Sequence, residues 1–273
     1  ALLLMGGSTE VDAGFSQRAY PVANGGDIVI LRTTGKDGYN TYLYNLVSGP
    51  LKPDSVETML VDTRDKANSD YVDWVIRTAE LVFIAGGDQA TYVNAWQGTR
   101  VEDALHAAHA RGAVIGGTSA GLAVMGQYVY DPDGIAGITS AEALADPYDP
   151  FMMLTTDFLR FPIMDNIITD SHFHARDRMG RTLAFMARLR QDGTAAQITG
   201  LKPEQVFVHT TFLGGGFGRR ANLHPDIVFE AVHVAKAANA PVKTVWSRED
   251  DVQGGFYRPA FVHALKAGLD GNG

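Results

Sequence analysis

The sequence contains no cysteine, which removes disulfide staples, thiolate metal sites and a cysteine nucleophile from consideration. It has no apolar run near the roughly 18 residues that a membrane-spanning helix needs; stretches such as Leu81 to Ala85 are far shorter. Positive charge is sparse, with 23 Lys and Arg against 31 Asp and Glu for a net charge of −8, and no basic cluster interleaves with aromatic residues. Neither nucleic acid nor a membrane is therefore an expected partner. No charged segment precedes Leu2 to Met5, so these residues do not read as a secretory leader. What remains is a soluble chain of 273 residues, 45% of them hydrophobic, long enough for one large α/β domain or two small ones. Its chemistry must come from oxygen, nitrogen and imidazole.

Short β-branched runs recur at Leu2 to Met5, Asp27 to Thr33, Glu57 to Val61, Leu81 to Ala85 and Ala113 to Ile115. Helical patterns lie between them at Tyr39 to Val47, Ser69 to Ala79 and Arg100 to Ala110. This alternation predicts an α/β fold of three layers around a mostly parallel sheet, its five strands buried on both faces. From Tyr128 to Pro162 the pattern gives way to Asp, Pro and Gly punctuation, which predicts a surface excursion. A strand over Asn166 to Asp170 and a helix over Ala175 to Arg190 are expected to follow. Further on, strands are expected over Val206 to Phe212 and Val242 to Ser247, with an amphipathic helix over Asp226 to Ala238.

Gly117-Thr118-Ser119-Ala120-Gly121 fits the G-x-S-x-G elbow, with an apolar strand before it and a small-residue helix after it. Flanking glycines permit a sharp turn that projects Ser119 Oγ beside a helix N-terminus, where backbone N–H groups can receive an oxyanion. The competing reading is an ordinary strand-to-helix turn in which Ser119 only caps the helix. A base is needed, and Asp170-Ser171-His172-Phe173-His174 supplies His172 as the preferred candidate. Asp170, His172 and His174 alternate like metal ligands, so a metal site is the rival, although a further ligand is not placed and no metal is assigned. His106 and His109 read as surface or packing residues.

For the acid that would orient His172, the excursion offers Asp131, Asp133, Glu142, Asp146 and Asp149, which spacing alone does not separate. Gly86-Gly87-Asp88-Gln89 follows a strand and opens a helix, so its N–H groups are available to complete an oxyanion hole. Arg176, Arg178 and Arg181, just past His172, suit a substrate carboxylate, against the usual reading of helix-face arginines as solvated.

Taken together, Gly-Gly-Asp-Gln at 86 to 89, Gly-Thr-Ser-Ala-Gly at 117 to 121, and Asp-x-His-Phe with spaced arginines at 170 to 181 resemble the cyanophycinase and dipeptidase E family of serine peptidases, over residues 1 to about 197. The resemblance implies a class I glutamine-amidotransferase-like, flavodoxin-like fold. It implies Ser119 as nucleophile, His172 as base and Glu142 as the acidic third member, with Gln89 and the backbone of Gly87 and Ala120 lining the acyl site. Asp170, Arg176 and Arg178 are the expected substrate-binding residues. The implied activity is exopeptidase or isopeptidase cleavage of Asp-containing dipeptides or β-aspartyl-arginine substrates, without a cofactor. Where cyanophycinases carry Asp-Gln-His-Phe, this chain has Ser171 in place of Gln.

From Ile198 onward the chain changes character. Val208 to Arg220, with its Gly214-Gly215-Gly216-Phe217-Gly218 core, and then Trp246-Ser247-Arg248-Glu249-Asp250, resemble the molybdopterin-binding subunit of isoquinoline 1-oxidoreductase. A fragment of this size would lack most of a cofactor cage, so molybdenum binding is not inferred. Both ends of the sequence read as internal, and a join is expected near Ala195 to Ile198. The expected organisation is a peptidase-like unit, 1–197, and a segment of different origin, 198–273, that completes the same domain. Two further readings stand beside the hydrolase: a molybdenum-cofactor oxidoreductase fragment and a non-catalytic module of the same fold. A homodimer is compatible with exposed sheet edges, and no compartment is legible.

Overall fold

The computed structural model describes residues 1–199, 201, 202, 205, 226–245, 247 and 249. Five parallel strands form its main sheet: β1 (Leu2–Met5), β2 (Ile28–Arg32), β3 (Val56–Leu60), β4 (Leu81–Ile84) and β5 (Val114–Thr118), in the spatial order β1-β5-β4-β2-β3. The three interior strands, β2, β4 and β5, are buried almost throughout. Their alternate side chains feed two separate cores. Ile28, Ile30, Leu81, Phe83 and Val114 enter one, while Val29, Leu31, Val82, Ile84 and Ile115 enter the other.

The order of the strands decides which helices cover which core. A right-handed crossover toward one edge of the sheet puts its helix on one face, and a crossover toward the other edge puts it on the opposite face. The connection from β1 to β2 runs through α1 (Asp12–Gly14), a π-helical turn (Phe15–Ala19) and α2 (Tyr20–Ala23), and that from β2 to β3 through α3 (Gly38–Asn45). Phe15, Ala19, Tyr20 and Leu43 from these helices pack on the first core. The return crossovers carry α4 (Arg64–Ala67), α5 (Asp70–Thr78), α6 (Gln89–Trp96) and α7 (Arg100–Arg111), whose Ala67, Ile76, Trp96 and Leu105 pack on the second. After β5 the short α8 (Ala120–Ala123) also joins the second core through Ala120 and the following Val124. β1 and β5 are thus neighbours whose outgoing connections leave toward opposite faces. A crevice opens between the carboxyl ends of such a pair.

The three-layer α/β architecture expected from the strand and helix alternation is present, consistent with the flavodoxin-like fold that the resemblance implies. Two local expectations need correction. β1 and β3 are not buried on both faces: they are the sheet edges, with Leu4 45% and Leu60 43% exposed, because the covering helices do not reach past the outermost strands. The strand expected over Asn166 to Asp170 is reduced to a single parallel bridge between Ile168 and Tyr128. Asn166 has φ +59°, and its N–H is taken by the Gln127 side chain at 2.7 Å, which stops a ladder from extending.

The excursion after α8 holds β6 (Tyr128–Tyr130) and β7 (Leu154–Thr156), an antiparallel pair, and α9 (Ser140–Ala145). It returns to α10 (Met179–Thr199). This helix starts four residues later than its apolar pattern suggests, since His172 and Asp177 both have positive φ and the intervening chain coils in turns. The chain divides into two compact units, Ala1–Leu189 and Arg190–Gly273. In the second, the helix expected over Asp226 to Ala238 is present as α11 (Asp226–Ala238), and Val242 to Val245 are not a strand. Val206 to Phe212 and Gly214 to Arg220 lie outside the described residues. Among those described, no helix is long and apolar enough to cross a membrane.

Candidate active site

Ser119 stands at the end of β5 with φ +53° and ψ −119°, a conformation that a non-glycine residue keeps only under constraint from its surroundings. The glycines around it supply the space. A Cβ on Gly121 would fall on the Ile84 carbonyl of β4, and one on Gly117 would fall on the Gly121 carbonyl. The sharp turn therefore needs glycine for close backbone contact as well as for conformational freedom.

Two further glycine pairs flank the serine, one from each neighbouring strand. At the end of β4, a Cβ on Gly86 would lie 3.4 Å from Ser119 Cβ. At the end of β1, Gly7 (φ +94°) lies against the His172 ring: a Cβ there would come within 2.7 Å of His172 Cε1 and Nε2 and 3.1 Å of Ser119 Cβ. Gly6 accepts the backbone N–H of His172 at 2.7 Å. Sequence reasoning missed Gly6 and Gly7, although the available signal was the same as for Gly86-Gly87: a glycine pair directly after an apolar strand.

The structure brings Ser119 and His172 together, with Oγ 2.8 Å from Nε2, across 53 positions of sequence. Burial depresses the His172 pKa below its ordinary value, and the nearby Arg176 and Arg178 depress it further, against an opposing pull from Asp170. The ring is thus biased toward the neutral form that accepts a proton. Ala120, the first residue of α8, is buried beside Ser119, and first-turn N–H groups have no intrahelical acceptor. Gly87 lies against Tyr92, whose hydroxyl donates to the Ala85 carbonyl at 2.8 Å and holds the turn after β4. Gln89 is half-buried at the start of α6, which Asp88 caps by accepting the Ala90 N–H.

Glu142 has a different engagement from the one the resemblance implies. Its carboxylate accepts the backbone N–H and the hydroxyl of Thr139, at 2.9 and 2.7 Å, closing a capping box at the exposed start of α9, and these bonds lower its pKa. Among the described residues no carboxylate hydrogen-bonds the His172 ring. Of the other acids in the excursion, Asp131 accepts the Thr155 hydroxyl at 2.7 Å, and its burial raises its pKa.

Asp170 is 3% exposed in its side chain, and its oxygens are occupied by Arg181, Arg178, Thr182 and the N–H of Ser171. Arg178 is held by Asp170 and Ser171, while Arg176 is exposed and forms no ion pair among the described residues. Two oxygens committed to guanidinium groups also argue against the alternating Asp170, His172, His174 metal site, and no cluster of three potential ligands occurs among the described residues. His106 and His109 pack on the Phe161 ring at 5.4 and 5.0 Å.

Residues 45–203, more than half of the chain, match the model of peptidase family S51. A cyanophycinase of Geminocystis herdmanii is 28% identical over 194 residues, covering 68% of this chain and 67% of that protein. A cyanophycinase of a Nostoc species is 30% identical over 135 residues, covering 49% and 42%. Residues 184–273 match the model of a molybdopterin cofactor-binding domain. Isoquinoline 1-oxidoreductase subunit beta of Brevundimonas diminuta is 38% identical over 79 residues, so the chain spans 10% of that relative's length. A crystal structure of a peptidase from an acI-B1 Actinobacterium aligns with a TM-score of 0.47 and 15% identity, over 69% of this chain and 74% of that one.

Proposed function

Because the chain belongs to peptidase family S51, we propose that it is a serine hydrolase in which Ser119 and His172 form the reacting pair. The observation that carries this reading is the 2.8 Å contact between Ser119 Oγ and His172 Nε2 on a constrained elbow. Ser119 Oγ attacks a substrate amide carbonyl while Nε2 takes its proton. The N–H groups of Ala120 and Gly87 receive the oxyanion. Nε2 then passes the proton to the leaving amine, the C–N bond breaks, and an acyl-enzyme remains. Water, deprotonated by the same imidazole, attacks the ester and regenerates Ser119.

The substrate class proposed is an Asp-containing dipeptide or a β-aspartyl-arginine unit like that of cyanophycin. Arg176 is the cation best placed to hold a substrate carboxylate, being exposed beside the imidazole, whereas Asp170 and Arg178 are committed to each other. Gln89 lines the acyl side. Glu142 is not assigned a step, since Thr139 engages its carboxylate.

The test is intact-mass analysis after incubation with a fluorophosphonate, with peptide mapping. A single adduct on Ser119, absent in Ser119→Ala, supports the hydrolase; no adduct on the folded protein favours the non-catalytic module. Hydrolysis of β-aspartyl-arginine is then compared with that of α-linked Asp dipeptides. A second reading, a molybdopterin-binding fragment, rests on the match over 184–273. The glycine-rich segment behind it lies outside the described residues, and no step above passes through such a cofactor. Molybdenum at one equivalent per chain in the purified protein would favour it.

A further inference from the structure

A histidine base needs something to aim its ring, commonly a carboxylate on the nitrogen away from the nucleophile. Here the backbone carries the constraint. His172 has φ +49°, and its N–H and carbonyl are both tied, to the Gly6 carbonyl at 2.7 Å and to the Arg176 N–H at 3.0 Å. Immediately before it, the Asp170–Ser171 segment is gripped by two arginines. Arg181 meets the Asp170 carboxylate as a fork, Nε to Oδ2 and Nη2 to Oδ1, each at 2.7 Å. Arg178 Nη1 donates to Asp170 Oδ1 at 3.1 Å, the Ser171 carbonyl at 2.8 Å and the Ser171 hydroxyl at 3.3 Å.

Arg181 is itself fixed on its remaining sides. Its side chain is 5% exposed, Nη1 donates to the Ile138 carbonyl at 3.2 Å, and the guanidinium sits over the Tyr130 ring at 4.9 Å and near Phe185 at 5.7 Å. The fork therefore anchors the His172 segment to the body of the excursion. Both side chains are 5% exposed or less, and the two Asp170 oxygens already accept from Ser171, Arg178, Thr182 and Arg181, so the pair is not presented to a substrate.

We infer that Asp170 and Arg181 are positioning residues for the base: their ion pair locks the backbone ahead of His172 so that Nε2 faces Ser119, and neither touches the substrate. This rests on the reading of Ser119 and His172 as the reacting pair. Among the described residues, the charged groups facing the ring are Arg176, Arg178 and Asp170, all on its own segment, and the ends of β1 and β5 bring Gly6, Gly7 and Ser119.

The test uses the full chain with R181K, which keeps the charge but loses the fork, and with D170N/R181M, which removes both members of the fork and leaves Arg178 held by the Ser171 carbonyl and hydroxyl. Each variant is checked by thermal melting, by the rate of fluorophosphonate labelling at Ser119 across pH, and by NMR titration of the His172 ring. The expected result is a folded variant that labels roughly tenfold to a hundredfold more slowly, the loss that misplacement of a reacting group produces. In D170N/R181M the His172 midpoint should also fall, because the negative charge of Asp170, which raises it, is gone. Wild-type labelling and an unmoved ring signal in either folded variant overturn the inference, even if melting is lowered. If the wild-type chain does not label, the reacting-pair reading fails, and the ring signal alone decides: displaced in the variants, the positioning role stands; unmoved, it falls.

Discussion

At Ser119 and His172, the proposed reacting pair, both residues adopt positive-φ conformations that their side chains disfavour, so the fold holds them against local preference. Replacing Ser119 by Ala is expected to abolish fluorophosphonate labelling while leaving the melting temperature within a few degrees of wild type, since no other described side-chain bond depends on its hydroxyl. The depressed His172 pKa sets the pH profile. Labelling should rise through a midpoint below the ordinary histidine value of 6.5 and level off by neutrality, as the neutral imidazole is the active form. Arg176→Ala removes a positive neighbour, so it should move that midpoint upward; a downward shift would contradict the placement of Arg176 beside the ring. Gly7→Ala sets a methyl group against the imidazole and should slow labelling strongly, with a smaller effect on melting.

Elements meet the site through their ends. β1 and β4 run into glycine pairs at the edge of the sheet where β5 ends in Thr118, and α8 starts directly after Ser119. The contact between α8 and β4 is backbone on backbone, because Gly121 has no Cβ to keep them apart. Gly121→Ala must separate the two elements or strain them, a loss of about 1–3 kcal/mol. At roughly 2–4 °C per kcal/mol for a chain of this size, calorimetry should show a clear fall in melting temperature. In the same core as α8, Trp96 of α6 is fully buried, and its indole N–H donates to the Val61 carbonyl at 2.8 Å, tying α6 to the chain leaving β3. Trp96→Ala should be among the most damaging core substitutions, of order 3–5 kcal/mol by denaturant unfolding.

For the whole molecule, the strand order makes burial uneven. β4 lies between β5 and β2 with both ladders filled and both faces covered, whereas β1 and β3 each have one unpaired side within the sheet. Native-state hydrogen exchange should be slowest in β4 and its two neighbours and faster along β3. Slower exchange in β3 than in β4 would contradict the strand order. The two-faced covering also explains why residues far apart in sequence reach one crevice: crossovers that reverse direction bring the ends of β1 and β5 side by side.

The alternation of apolar runs and helical periods was enough to specify the α/β class, because buried parallel strands and amphipathic helices leave different periods in the sequence. The Ser119 elbow was legible for a similar local reason, since its glycines and flanking strand are contiguous. Strand order is not local, so the exposed edges at Leu4 and Leu60 and the contact between Gly7 and His172 could not be read from spacing. Nor could the partners of the charged side chains. Glu142, four residues into a solvent-exposed turn, closes on its own helix cap, and Asp170 closes on Arg178 and Arg181, because a carboxylate takes the nearest well-aligned donors once the chain has folded. Sequence determined which groups were available; tertiary packing decided which of them remained free to act.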